Sequence, residues 1–401
     1  MAKLLMITGL GSAADLASGK KGAFYNTLEE FHKYWERIDI IAPRIVRDVG
    51  NDGDVGNEQF QQAKRSNKRS DPTTQTQNLF GNVYVHISPW PLIFHPFWFL
   101  KKGLEIYKEQ KFDLMTVHEF PPFYNGIGAR LLRQKIKVPY ILEIFHIPGH
   151  PRAASIKEVI YKFLFKLFIG FDASKAKAAR VMNQKQVPDF LIKAGVPKEK
   201  IIYIPAIYVD LDIFRPMNLP KEYDLIFVGR LEKNKGINLL LETASKLKAQ
   251  ILNFKMIIVG SGPLKESLKF KIKNLKLQDN IMLYGWAKDS LEIAELMNKS
   301  KILMMPSYNE GGPRVVVEAM ACGVPVLATP VGIVPDLLKN GSGGEIIAWE
   351  AEDMARKAKG LLDNPERYGE CRLNGLETAK QFEKKETIKN YAEKLQKIYH
   401  E

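Results

Sequence analysis

Two glutamates eight positions apart, Glu310 and Glu318, bracket Gly311, Gly312 and Pro313 in a stretch of this 401-residue chain whose residue types could do chemistry. The short apolar run 302–305 before them reads as a buried parallel strand. Pro313 suits the first turn of a helix, 315–320 continues it, and Gly323 is placed to end it. A further apolar strand follows at 324–328. Strand, Gly-rich loop and helix start together make the ligand crevice at the carboxyl edge of an open parallel sheet. The free N–H groups and dipole of a helix start favour phosphate oxygens, while carboxylates accept sugar hydroxyls. The stretch therefore suits a ligand that is both polyhydroxylated and phosphorylated. Taken singly, either glutamate would serve equally well as a solvated surface acid.

Other candidates sit at comparable strand ends. Arg230 and Lys235 follow the strand 224–228 and Gly229, where two fixed positive charges can hold a diphosphate. Gly260 follows 256–259, and Gly285-Trp286 follows 281–284. His118 and His146 each follow an apolar strand, 113–117 and 139–144, which places two histidines at one sheet edge. Gly9 and Gly11 follow the first strand, 3–8, and Gly22 precedes a helix at 23–35. No G-x-G-x-x-G is present, so a dinucleotide site has little support. Asp210 and Asp212 form a D-x-D in a linker rather than a crevice, no Cys/His spacing suggests zinc, and no metal site is expected. Cys322 reads as a small buried side chain rather than a nucleophile.

Glu310, seven residues, then Glu318-Ala319-Met320-Ala321 and Gly323-Val324-Pro325-Val326 resembles the E-x7-E signature of family-4 retaining glycosyltransferases. The resemblance is specific over 224–345 and loose before 200. It implies an α/β chain of GT-B architecture, with two facing Rossmann-like, doubly wound parallel-sheet domains and a cleft between them. Residues 1–208 with the C-terminal helix 384–401 would form the acceptor side, and 209–383 the nucleotide-sugar side. It implies metal-independent transfer without a cofactor, from a nucleotide-sugar to a sugar or polyprenyl-linked acceptor. By resemblance Arg230 and Lys235 stabilise the leaving diphosphate, Glu310 orients the donor sugar, and Glu318 binds the ribose. Gly229, Gly260, Gly285, Trp286, Gly311, Gly312 and Pro313 then surround the donor. His118 meets the acceptor hydroxyl, with Gly9, Gly11, Gly22 and His146 on the acceptor side. The chain departs from the family at 205–207, where a Pro-Asn-Gly is usual. A same-fold epimerase or phosphorylase remains the alternative chemistry.

The bulk properties agree with this class. Length allows two domains, and the composition, 45% hydrophobic and 26% charged, is that of a globular protein. The first apolar run is too short for a signal peptide, and no stretch reaches the roughly 18 apolar residues of a spanning helix. The expected location is cytoplasmic, with a peripheral place on the cytoplasmic membrane face. Net charge is +14, and 101–200 alone holds 19 Lys/Arg against 9 Asp/Glu. That surplus could meet an anionic membrane, whereas a nucleic-acid binder would need a stacking motif or recognition helix that the chain lacks. The segment 155–170 reads as a helix with Ile156, Val159, Ile160, Phe163, Leu164, Leu167 and Phe168 on a buried stripe. Tyr161, Phe165 and Ile169 fall outside it, an arc wide enough for a membrane surface as well as for a core. The polar stretch 49–78 reads as a long loop, either simply solvated or an acceptor-side lid.

Overall fold

The computed structural model describes residues 1–9, 16, 22–43, 76–121 and 123–400. Most of the polar stretch 49–78 and Gly11 lie outside them. Strands β1 (Lys3–Ile7), β2 (Arg37–Ala42), β3 (Gln77–Leu79), β4 (Val83–Ile87), β5 (Leu114–His118), β6 (Tyr140–Ile144), β7 (Ala178–Val181) and β8 (Ile201–Tyr203) form one sheet, ordered β3-β4-β2-β1-β5-β6-β7-β8. Gln77 and Asn78, expected in a loop, instead open β3, which runs antiparallel to β4 at the sheet edge. The pairs β1–β2, β2–β4, β1–β5 and β5–β6 are parallel. A second sheet takes β9 (Tyr223–Val228), β10 (Met256–Val259), β11 (Ile281–Gly285), β12 (Ser300–Met305), β13 (Val326–Ala328) and β14 (Gly344–Ile346) in the order β11-β10-β9-β12-β13-β14. All its pairings are parallel.

Why these runs become central strands follows from their alternation. In the second sheet Ile226, Ile257, Val259, Leu303, Met305, Val326 and Ala328 join one buried cluster. Their neighbours Leu225, Phe227, Met256, Ile258, Ile302, Met304 and Leu327 join another. Successive side chains point to opposite faces, so a strand with no polar position must be covered on both. Helices supply that cover, among them Ile237–Lys248, Arg314–Ala321 and Ala351–Leu362. The chain divides into two compact units, one of 1–143, 171–179 and 395–401, the other of 144–170 and 180–394. Within the second unit Val209 pairs with the segment ahead of the last helix, its N–H donating to Phe382 O at 2.8 Å.

In each sheet the strand order reverses beside its first strand. The chain goes outward from β1 to β2 and β4 before β5 returns to the other side, and outward from β9 to β10 and β11 before β12 returns. Loops after adjacent strands diverge at such a point and leave a crevice at the carboxyl ends. Gly9 follows β1 and His118 ends β5; Arg230 and Glu310 follow β9 and β12.

The helix Ile156–Lys175 overturns the expected stripe. Phe165, Ile169 and Ala173 are its fully buried apolar residues, whereas Ile156, Val159, Ile160, Phe163, Leu167 and Phe168 face solvent. The i, i+4 row through Phe165 packs inward, with the Phe165 and Phe190 ring centroids 6.2 Å apart. An apolar arc this wide leaves hydrophobicity unable to choose its inner face, and the longer row fell outside. No helix among the described residues is long and apolar enough to cross a membrane.

A polar cluster lies inside the first unit. Glu119 and Asp172 are 0 % and 1 % exposed, and both carboxylate oxygens of Asp172 lack a hydrogen-bond partner among the described residues. A Cβ placed on Gly126 would meet Glu119 Oε2 at 2.0 Å and Asp172 Oδ2 at 2.8 Å, so only glycine admits both acids. Burial raises the pKa of each; Asp172 raises that of Glu119 further, and Arg130 opposes the rise at Asp172. The native state thus keeps protons that the unfolded chain has released, and stability is lost as pH climbs above the ordinary carboxylate range. Asp172→Asn should flatten this fall, gaining roughly 1–3 kcal/mol at pH 8 relative to pH 5. Thermal melts of both proteins across that range check it, and equal slopes would count against the cluster as their origin.

Candidate active site

The site in the second unit is built on the loops after β9 and β12. Gly236 is left-handed, at φ +68°, and a Cβ there would stand 2.1 Å from Pro306 O. The turn carrying Lys235 is thereby pressed against the end of β12. Tyr308 N donates to Asn234 O at 2.7 Å and ties the same two loops again. Between these ties Lys235 Nζ forms an ion pair with Glu310 Oε1, which also accepts from Ser307 Oγ at 2.9 Å. The two side chains keep only 18 % and 15 % of their surface, so solvent screens the pair less than an exposed one.

Ser307 itself is buried, and its carbonyl accepts from Trp349 Nε1 at 2.9 Å and from Thr329 Oγ1. Asn309, also buried, donates from Nδ2 to Arg152 O at 3.0 Å and to Glu158 Oε2 at 2.9 Å. Its neighbours Gly311 and Gly312 allow close backbone approach. A Cβ on Gly311 would lie 1.9 Å from Phe145 O and 3.1 Å from His146 Cβ, and one on Gly312 would lie 2.5 Å from Ile207 Cγ2.

His146 therefore stands in the same unit as Glu310, beside the loop that holds it. Desolvation leads a lowering of its pKa, opposed by Glu310 and Glu158 and assisted by Lys235 and Arg230. The residue is exposed, which damps the desolvation, and the direction favours the neutral imidazole. His118 belongs to the first unit, where a Cβ on Gly9 would come 3.0 Å from its Nδ1 and Asn125 Nδ2 donates to its carbonyl at 2.8 Å. Gly22 caps the helix Ala23–Phe31 in that unit.

Pro313 caps the helix Arg314–Ala321, and Gly323 closes it with its own N–H on Met320 O at 2.9 Å and Val324 N–H on Ala319 O at 2.9 Å. Glu318 lies in the second turn of this helix. Burial pushes its carboxyl up, and Arg314, one turn earlier at 3.9 Å, pulls it down. Arg314 also lies 4.4 Å from the Tyr208 ring centroid. Cys322, at the helix end, is held as a thiol, pushed up to about 12 by burial and then by Glu318.

The remaining candidates are distributed along the β9–β10–β11 side. Gly229 N donates to Val259 O at 3.0 Å, and Gly260 N donates to Gly285 O at 2.6 Å, so three Gly turns lie side by side. Gly260, at φ +145°, could carry no Cβ, which would fall 1.9 Å from Gly229 O. Trp286 projects its ring into solvent. Arg230 is also exposed and pairs with Glu232 at 3.0 Å instead of joining the Lys235–Glu310 pair. Asp210 Oδ1 accepts from Asp212 N at 3.2 Å, which makes that D-x-D a turn. Ser307, Asn309 and Arg314 escaped sequence reasoning. Of these, only Arg314 had a signal, its i, i+4 spacing to Glu318.

Gly311→Ala tests this packing. The added methyl must displace Phe145 O or the Glu310 loop, costing roughly 1–3 kcal/mol. The melting temperature should fall, and an unchanged value would mean that the loop is not so confined.

Residues 211–378 match the family described as Glycosyl transferases group 1. An uncharacterized glycosyltransferase of Methanocaldococcus jannaschii is 28% identical over 81% of this chain and 87% of its own. A Campylobacter jejuni α-1,4-N-acetyl-D-galactosaminyltransferase, named for a diphospho-undecaprenol-linked substrate, is 26% identical over 80% and 84%. Among solved structures, sucrose-phosphate synthase from Thermosynechococcus elongatus superposes with a TM-score of 0.76 at 17% identity, covering 100% of both chains. HepE of Anabaena, solved in complex with UDP-glucose, gives 0.69 at 18% identity, over 99% of this chain and 100% of its own. The chain has the GT-B fold, and over residues 211–378 it is similar to the glycosyl transferases group 1 family.

Proposed function

We propose that the protein is a metal-independent retaining glycosyltransferase that moves a hexose from a nucleotide-sugar to an acceptor hydroxyl. The observation that carries this reading is the Lys235–Glu310 pair at the β9–β12 reversal, with Glu318 in the second turn of the adjoining helix. The UDP-glucose complex of HepE supports a nucleotide-sugar donor, and the Campylobacter relative's name supports a polyprenyl-linked acceptor. Residues 209–383 hold the donor, and 1–208 with 384–401 face the acceptor.

Lys235 exchanges Glu310 for the donor diphosphate, and Arg230 swings from Glu232 to assist. Both stabilise charge as the C1–O bond to phosphate breaks, the electrostatic role that a metal ion takes elsewhere. Glu310, released, accepts hydrogen bonds from the sugar hydroxyls. Glu318 takes the ribose, and the Gly260 and Gly285-Trp286 turns take the base. The acceptor oxygen attacks C1 from the face that the diphosphate leaves, and its proton passes to the departing phosphate oxygen. His118 meets that hydroxyl, with His146 on the acceptor side. The basic surplus supports a position against an anionic membrane face, on its cytoplasmic side.

Glu310→Gln should lower turnover by a hundredfold or more, the order seen when a group acting on the transition state is removed. It should leave affinity for free uridine diphosphate nearly intact. Glu318→Gln should weaken that affinity by roughly 1–3 kcal/mol. Lys235→Ala should damage both. Calorimetry with the nucleotide, beside initial rates, separates the patterns; equal losses of affinity in both glutamate variants would overturn the division of roles.

A further inference from the structure

The helix Ile156–Lys175 presents Ile156, Val159, Ile160, Phe163 and Leu167 to solvent, each between 51% and 81% exposed. Their spacing puts them in one row about 16 Å long. Single exposed apolar residues are ordinary, but five aligned on one helix mark a contact surface. Lys157, Lys162 and Lys166 lie on the same helix, with Lys157 Nζ 5.4 Å from the Tyr161 ring. An apolar row edged by flexible cations matches a lipid surface, with acyl carbon under the row and anionic headgroups at the lysines. A protein groove would instead have to desolvate those ammonium groups. On its inner side the helix is fixed by Phe165 and Ile169, both fully buried.

The same helix reaches the candidate site. Glu158 Oε2 accepts from Ala154 N at 2.7 Å and from Asn309 Nδ2 at 2.9 Å, and Asn309 adjoins Glu310. Arg152 brackets this bond, accepting from Asn309 through its carbonyl and donating its own N–H to Tyr308 O at 3.3 Å. We propose that the Ile156–Leu167 face seats on an anionic lipid surface, and that the Glu158–Asn309 bond carries this seating to the Glu310 loop, so that bound lipid holds the loop firm. This rests on the membrane placement proposed above and not on glycosyl transfer. Lipid can act on the loop only by binding its held state more tightly than its released state, which is the thermodynamic content of the link.

Flotation with vesicles of mixed phosphatidylglycerol and phosphatidylcholine tests the seat. The wild-type chain should float with these, less in high salt, and less still with phosphatidylcholine alone. Phe163→Ser and Leu167→Ser, both at exposed positions, should each reduce flotation about tenfold or more without lowering the melting temperature. Ile156→Ser, in the first turn, gives a third variant should either fail to fold. Variants that float like the wild type would overturn the face while leaving the membrane placement standing; a wild type that does not float would sink both. Hydrogen exchange then tests the link without donor or turnover. Vesicles should slow amide exchange at 307–312 in the wild type and not in Asn309→Ala. Unchanged exchange in vesicle-bound wild type would overturn the link.

Discussion

The site depends on a single topological constraint, that β12 returns to lie beside β9 after the chain has gone outward through β10 and β11. Loops leaving two adjacent parallel strands in opposite directions cannot cover the crevice between them. Lys235 and Glu310, 75 residues apart in sequence, meet because each lies on one of those loops. The close approach of Gly236 to Pro306 and the Tyr308–Asn234 hydrogen bond hold the loops together, so the ion pair is formed by the backbone and not merely tolerated by it. A buried ion pair contributes little net stability once desolvation is counted. Its value here is poise. An ammonium held by a carboxylate, on a loop next to a helix start, can trade that partner for a phosphate without new desolvation.

Glycine has a definite part in this arrangement. Gly260, Gly311 and Gly236 stand where a Cβ would fall about 2 Å from a backbone oxygen of another loop. Each lets two backbone segments approach more closely than side-chain-bearing residues could. The two carboxylates then have different partners, Glu310 with Lys235 and Ser307, Glu318 with Arg314. Different partners give the two carboxylates different electrostatic surroundings.

Much of this was legible in the sequence because it is local. The strand ending at Met305, Pro313 at the helix start, Gly323 at its close and the apolar strands 224–228 and 256–259 were all written in adjacent residues. What could not be read depended on distant packing. Ser307 and Asn309 matter through Trp349 and Glu158, which no spacing rule connects to them. His146 could be assigned to a strand end, but its nearness to Glu310 arises from Gly311 packing on Phe145. The helix Ile156–Lys175 misled for a related reason. Periodicity shows that a face is apolar, and only the neighbours Phe190 and Ala194 decide which one is inside. Gln77 and Asn78 form a short edge strand despite polar side chains because an antiparallel edge needs backbone pairing more than burial.

A crystal structure with bound uridine diphosphate tests the Lys235–Glu310 assignment most directly. Lys235 Nζ should have left Glu310 and lie within hydrogen-bond distance, about 3 Å, of a phosphate oxygen, with the ribose hydroxyls at Glu318. A nucleotide bound at saturating concentration with Lys235 still paired to Glu310, or with its diphosphate away from the β9 and β12 loops, would contradict the account.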